Sequence, residues 1–371
     1  MFCYQCDIVK FQEASLDILK KYNFDSKTFE TLREKYIKGQ FTEKDNKIKG
    51  KVEPPPSNLL NDLTKLDNSS KEKYSITGRE VIKNNKLGVV IVNGGMATRF
   101  GGGVKGIVDV FDGKSFLKIK LQQIERVKEK FNSNIEIFIM NSFATEKATI
   151  EHLKEYKDIN FFSQFIFKRL NPDGTEFNSP ENQMENFYGP GHGDFIFAFK
   201  KSGLLDRAIK KGIEYIWYSN VDNLGATIDE VILGFSVEKN FEMTAEVAEK
   251  FRGDKGGAPA LVDGKIQIVE GFKFPDGFDI DSIRVFNTAT YIFQTKALKK
   301  IVETPGFELP WYIVKKKVKD KEVIQFERLT GDLSIFMKTG YVVVDRNERF
   351  FPVKTPEDLI QQRDFLRNKF G

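Results

Sequence analysis

Apolar and polar positions along this chain fall into distinct textures. Leu16, Ile18, Leu19 and Tyr22, then Phe29, Leu32 and Tyr36, recur at helical spacing and predict short amphipathic helices within residues 1–50. Pro54-Pro55-Pro56 closes that region, because proline lacks an amide proton and fixes φ, so residues 51–85 are expected to begin as an extended, Pro-rich connector. From Leu87 onward Val89-Val90-Ile91-Val92 is a continuous apolar run, the signature of a strand covered on both faces. A Gly-rich turn follows it. Leu117, Leu121, Ile124, Val127 and Phe131 then mark one stripe of a helix, and Ile135 to Met140 a second strand, which together make a βαβ unit. Leu204 to Lys211 reads as a helix closed by Gly212, leading into a strand from Tyr215 to Ser219. Further strands are expected at Glu242–Ala248, Lys265–Glu270, Val285–Phe293 and Tyr341–Val344. Thr355 caps a final helix with Pro356 at its first position and Leu359, Leu366 and Phe370 on its apolar face. Strands alternating with helices predict an α/β domain over residues 86–371.

Composition narrows the class. The 371 residues are 40% hydrophobic and 30% charged, with 58 basic and 53 acidic side chains interleaved throughout, so a net charge of +5 gives no reason to expect a nucleic-acid partner. Lys315 to Lys321 is the one dense basic run and reads as a solvated loop. Met1 to Tyr22 lacks the pattern of a signal peptide, and no window approaches the roughly 18 apolar residues of a membrane span. A cytoplasmic protein without membrane attachment is expected. Cys3 and Cys6 form a lone C-x-x-C, and His152 and His192 lie far from it in sequence, which amounts to half a zinc site at best.

Three segments carry candidate chemistry. Asn93-Gly94-Gly95 and the residues through Arg99 and Lys105 follow the first buried strand, where free N–H groups and two cations suit a triphosphate. The spelling is neither a Walker loop nor G-x-G-x-x-G, and taken alone it also fits a tight structural turn. Gly189-Pro190-Gly191-His192-Gly193-Asp194 is too rich in glycine for a helix or strand; it leaves an imidazole with room for a phosphate or hydroxyl oxygen, or one that merely satisfies backbone carbonyls. Ser219-Asn220-Val221-Asp222-Asn223 begins where a strand runs out, and a single Asp there suits Mg²⁺, which takes its other ligands from water and substrate phosphates. Helix capping by Asp222 or Asn223 is the structural alternative. Lys354, flanked by a short apolar segment and the last helix, and Glu270, at a strand end, complete the set.

With these segments in order, the sequence resembles the UDP-glucose pyrophosphorylase family, within the wider group that includes UDP-N-acetylhexosamine pyrophosphorylases. The likeness runs from about Pro54 to Phe365 through the N-G-G turn with Lys105, Met140-Asn141-Ser142-Phe143, Gln164, Pro190 to Asp194, Ser202 to Asp206, Ser219 to Ala226, Lys255-Gly256-Gly257, Glu270, Phe286-Asn287-Thr288 and Phe351 to Lys354. It implies a Rossmann-like nucleotidyltransferase domain with a central mixed, mostly parallel sheet flanked by helices. The implied reaction joins UTP to glucose 1-phosphate with Mg²⁺, giving UDP-glucose and pyrophosphate. Carried over by position, Asn93, Gly94, Gly95, Gln164, Gly191 and Asn220 would hold the nucleotide. Arg99, Lys105 and Lys354 would supply catalytic positive charge, Asp222 would bind the metal, and His192, Asn223, Glu270 and Asn287 would line the sugar and its phosphate. Gly103-Val104-Lys105-Gly106 leans toward the hexosamine branch, and Ala289-Thr290 stand where glucose enzymes typically carry two asparagines, so an N-acetylglucosamine or broad-specificity enzyme is the alternative. A non-catalytic nucleotide-sugar sensor is the reading from another class. With no C-terminal β-helix expected, a monomer is the expected state.

Overall fold

Leu87–Val92 buries five of its six residues, and its valines and isoleucine alternate between two separate apolar clusters: Val89 and Ile91 point one way, Val90 the other. A strand with that burial lies in the middle of a covered sheet. The computed structural model describes residues 16–95, 102–251, 254 and 256–371. Its central sheet has eight strands: β1 (Leu60–Asp62), β2 (Leu87–Val92), β3 (Glu136–Asn141), β4 (Ile159–Ser163), β5 (Tyr215–Asn220), β6 (Met243–Glu249), β7 (Val285–Gln294) and β8 (Thr339–Val344). Their spatial order is β1-β8-β6-β7-β5-β2-β3-β4. All neighbours run parallel except β7, which is antiparallel to both β5 and β6. The sheet is thus mixed and mostly parallel, as expected.

Four longer helices matter for the site and its surroundings: α1 (Ser26–Ile37), α2 (Asn68–Lys83), α3 (Phe116–Phe131) and α4 (Pro356–Phe370). α3 and α4 cover one face, packing Phe116, Leu117, Leu121 and Ile124 with Leu359, Leu366 and Phe370 against Val89, Ile91 and Trp217. Shorter helices at Phe195–Lys201 and Leu204–Lys210 cover the other, with Phe195, Phe199 and Leu205 against Val90, Phe138 and Ile216. α4 starts as expected, with a reciprocal capping box between Thr355 and Asp358 and Pro356 in the first turn.

Two segments do more than the sequence reading assigns them. α1 buries Phe29 and Leu32 against the hairpin formed by Tyr312–Val318 and Lys321–Glu327, so the N-terminal helical region packs on the larger domain. Residues 51–85, expected as connector and lead-in, supply β1 and α2. The basic run Lys315 to Lys321, expected as a loop, instead forms the ends of both strands of that hairpin and the turn between them; Lys315 pairs with Glu43 at 2.8 Å and Lys319 with Glu181, on an exposed surface. Among the described residues no helix is long and apolar enough to cross a membrane.

Candidate active site

The parallel strands β2 and β5 end side by side, with Asn220 opposite Val92 in the register. Chains leaving the carboxyl ends of adjacent parallel strands diverge and open a crevice. That crevice has a volume of about 390 Å³ and is lined by His192, Asn220, Asp222, Glu270, Asn287 and Lys354, among others. Lys105 reaches the same place, since its ammonium donates to Asp222 Oδ2 at 2.6 Å across 117 positions of sequence. Lys354 is tied in through the backbone: Val353 N–H donates to the Asp222 carbonyl at 3.4 Å. Its own N–H and that of Thr355 donate to Asp358 Oδ2 at 2.8 and 2.9 Å, so the N-terminus of α4 fixes the direction in which this lysine leaves the chain.

Asn223 acts as the brace between these segments. Its amide nitrogen donates to the Arg349 carbonyl at 3.2 Å, and its oxygen accepts from Phe351 N–H at 3.0 Å and Gly225 N–H at 3.2 Å. With those groups spent on the backbone and only 3% of its surface exposed, Asn223 holds the walls of the cleft together from within. Asn93 is likewise internal. It is fully buried and donates to Asn141 Oδ1 and Thr149 Oγ1, which anchors the turn after β2. Both residues were expected to face ligand; Asn93 lies behind the crevice wall, while Asn223 lines the crevice with its amide already bonded to the backbone.

Gly94 and Gln164 do meet. A Cβ at Gly94 would lie 3.0 Å from Gln164 Nε2, and one at Gly189 would collide with the same amide, so only glycines let this side chain lie across both loops. Gly95 has open space where a side chain would be. Gly191, at φ +86°, carries the chain over the backbone of Arg328, where a Cβ would come within 2.5 Å of its carbonyl oxygen. The loop is pinned below by buried Asp194, which accepts from the Arg328 guanidinium and from Phe165 N–H. Arg99 and Lys255 lie outside the described residues, as do Cys3 and Cys6; His152 instead shares a hydrogen bond with Ser115 at 2.8 Å.

His192 has a defined tautomer. Thr330 N–H donates to its Nδ1 at 3.0 Å, and because a backbone amide only donates, the neutral ring carries its proton on Nε2. Thr330 Oγ1 in turn donates to the His192 carbonyl at 2.8 Å and accepts from Tyr218 at 3.0 Å. Burial pushes the imidazole pKa down to about 4, so the ring is a neutral donor throughout the physiological range. An unfolded histidine titrates near 6.5, so between about pH 6.5 and pH 4 the unfolded chain binds the extra proton and stability falls as the pH falls. The loss reaches at most about 3 kcal/mol, less where the ring edge meets solvent in the cleft. Thermal melts from pH 7 to pH 4.5 should therefore drop further for the wild type than for His192→Gln.

Elsewhere on the crevice wall, Glu270 follows the strand Lys265–Val269, which belongs to a separate three-stranded sheet with Val52–Glu53 and Ala258–Val262. Burial first, then the Asp332 carboxylate, raises its pKa, while the Gly257 N–H and Asn287 side chain bond to it. Asn287 also donates to Tyr291 at 2.7 Å. It stands at the start of a bulge, where the β6–β7 register jumps from Tyr291 opposite Ala245 to Asn287 opposite Val247, with Ala289 at φ +58°. Sequence reasoning passed over Arg346, held by Asp254 at 2.6 Å on the cleft wall, and Arg349, paired inside with Glu246 at 2.7 Å. It also passed over Lys120. The signal for Lys120 was present, since it falls at i+3 from Leu117 on the buried stripe of α3.

The donor set fits Mg²⁺. No group of three or more His, Cys, Asp or Glu side chains among the described residues forms a cage, whereas Asp222 presents one carboxylate in a cleft large enough for substrate phosphates to supply further oxygens.

Comparison with known proteins agrees with this architecture. The family model for UTP–glucose-1-phosphate uridylyltransferase matches residues 26–368. A relative from Schizosaccharomyces pombe is 35% identical over 294 residues, covering 74% of this chain and 58% of its own length. The UTP–glucose-1-phosphate uridylyltransferase of Encephalitozoon cuniculi is 30% identical over 368 residues, covering 95% of this chain and 72% of its own. The chain thus spans a little over half of the first of these relatives and about three-quarters of the second. Among solved structures, UDP-glucose phosphorylase from Trypanosoma brucei superposes with a TM-score of 0.76 at 26% identity, covering 95% of this chain and 79% of that one. A family model that matches nearly the whole chain, and a cleft that gathers the motif residues, lead to one conclusion: the chain belongs to the UTP–glucose-1-phosphate uridylyltransferase family.

Proposed function

We propose that this protein is a uridylyltransferase that forms UDP-glucose and pyrophosphate from UTP and glucose 1-phosphate. The observation that carries the reading is the meeting of Lys105, Asp222 and the Lys354 segment, from three distant parts of the chain, at one crevice. Binding a nucleotide sugar requires no such cluster; transferring a nucleotidyl group between two polyanions does.

An oxygen of the sugar phosphate attacks the α-phosphorus of UTP in line. A new P–O bond forms, the bond to the β-phosphate oxygen breaks, and pyrophosphate leaves with the electron pair. The nucleophile is already an anion, so no general base is required, and the protein's tasks are alignment and charge stabilisation. Lys105 and Lys354 bring positive charge to the reacting phosphates beside Asp222. Asp222 would hold Mg²⁺, whose chemistry when bound is to neutralise charge on phosphate oxygens. His192 offers its Nε2 proton to a phosphate or sugar oxygen without changing charge. Gln164 with Gly94 and Gly191 forms the surface for the uracil, and Glu270 and Asn287 accept and donate to sugar hydroxyls. Lys105 on Asp222 keeps the pair neutral until phosphates arrive.

The test is pyrophosphate release by the purified protein with Mg²⁺, UTP and a panel of sugar 1-phosphates. The highest kcat/KM is expected with glucose 1-phosphate. Preference for N-acetylglucosamine 1-phosphate would transfer the assignment to the hexosamine branch, a result that the lone methyl of Ala289 on the cleft wall would accommodate. Silence across the panel would leave a sensor.

A further inference from the structure

Below the Asp222 turn lies a lysine that the reaction does not touch. Lys120 is 3% exposed and sits on the face of α3 that otherwise carries Leu117, Leu121 and Ile124 into the core. A buried ammonium is costly unless it is well bonded, so its partners indicate what it does there. They are the two ends of one turn: Nζ lies 3.1 Å from Ser219 Oγ and 3.5 Å from the Ala226 carbonyl. One helical turn on, Gln123 Nε2 donates to the Leu224 carbonyl at 3.1 Å. α3 therefore grips the segment bearing Asp222 at its start, its middle and its end. Burial pulls the ammonium pKa down to about 7, and the largest opposing influence is the Asp222 carboxylate. The other charges around it are Arg349 and Glu246, already paired with each other.

We propose that Lys120 is a positioning residue for Asp222, clamping the 219–226 turn onto α3 together with Gln123 so that the carboxylate meets the cleft in a fixed place. The proposal rests on the uridylyltransferase reading for its purpose, but its test does not depend on turnover. Lys120→Met keeps the side chain's length and removes its donors and charge. Mn²⁺ binding by the nucleotide-free variant, followed by electron paramagnetic resonance, is expected to weaken about tenfold, as for a partner that orients a metal ligand. In the presence of substrates kcat should fall by about 30-fold while KM for glucose 1-phosphate stays within about threefold. The melting temperature should hold or rise, because the desolvated charge is gone.

Deleting a cation near an unmoved carboxylate would tighten Mn²⁺ binding instead, so unchanged or tighter binding in Lys120→Met overturns the clamp. Should that variant not fold, Gln123→Met removes one bond of the same grip with no change of charge. A weakening of about threefold is expected there, and unaltered Mn²⁺ affinity overturns the proposal. An inactive wild type across the sugar panel would sink the transferase reading while leaving the Mn²⁺ comparison to decide the clamp.

Discussion

Lys105→Ala and Lys354→Ala should each lower kcat by about 10²–10³-fold, roughly 3–4 kcal/mol of lost transition-state stabilisation. Lys105 is held by its 2.6 Å pairing with Asp222, and the backbone that carries Lys354 by its N–H bond to Asp358 at the start of α4. Charge that is already oriented costs no reorganisation when the phosphorus becomes crowded with oxygen, and an alanine leaves that charge unopposed. The two variants should differ in one respect. In the empty protein Lys105 competes with any metal for Asp222, so Lys105→Ala should bind Mn²⁺ more tightly than the wild type, whereas Lys354→Ala should not. Steady-state kinetics and a Mn²⁺ titration check both points, and near wild-type turnover in both variants would refute the assignment.

Asp222→Asn is expected to be the more damaging change, lowering kcat by about 10³-fold, or some 4 kcal/mol, without recovery at high Mg²⁺. The amide keeps the shape of the side chain, so the turn held by Lys120, Gln123 and Asn223 should stay in place. What disappears is the negative charge that attracts a divalent cation and balances Lys105. The pair is part-exposed, with 15% and 23% of the two side chains accessible, so stability should change little compared with activity. A melting temperature close to wild type with collapsed turnover is the expected combination. Turnover restored by excess Mg²⁺ would show that Asp222 is not the residue that positions the metal.

Much of the fold is legible in the sequence because burial leaves a readable trace. A strand covered on both faces must be apolar at every position, hence Val89 to Val92, and α3 and α4 show their apolar stripes. Strand direction leaves no such trace, since an antiparallel strand with both faces buried has the same composition as a parallel one. β7 is therefore placed as a strand, while its orientation and the bulge at Ala289 come only from the structure. Within the site, motif order indicates that Lys105, Asp222 and Lys354 belong together. It does not separate residues that face a ligand from residues that hold those in place. Asn93 and Asn223 illustrate the point: an asparagine in a tight turn fits either role, and here Asn93 spends its amide N–H groups, and Asn223 both ends of its amide, on the protein. Lys120 is hidden for a different reason. A lysine ordinarily belongs on a surface, and only its place in the stripe of α3 shows that it lies inside.

The reversed course of β7 divides the crevice into two materials. Parallel strands deliver their tips and then let the chain go, so their rim of the crevice is built of loops, which are adjustable by nature. β7 arrives from the opposite direction on a strand that β5 and β6 both pair as far as Tyr291, and Asn287 reaches the cleft just past the bulge, paired with Val247 of β6. On the proposed function the hexose would be measured against this strand-borne wall while the polyphosphate would be received by a more pliant rim. Changes of sugar preference should accordingly arise by exchange of side chains along that wall, and changes of rate by retuning the rim.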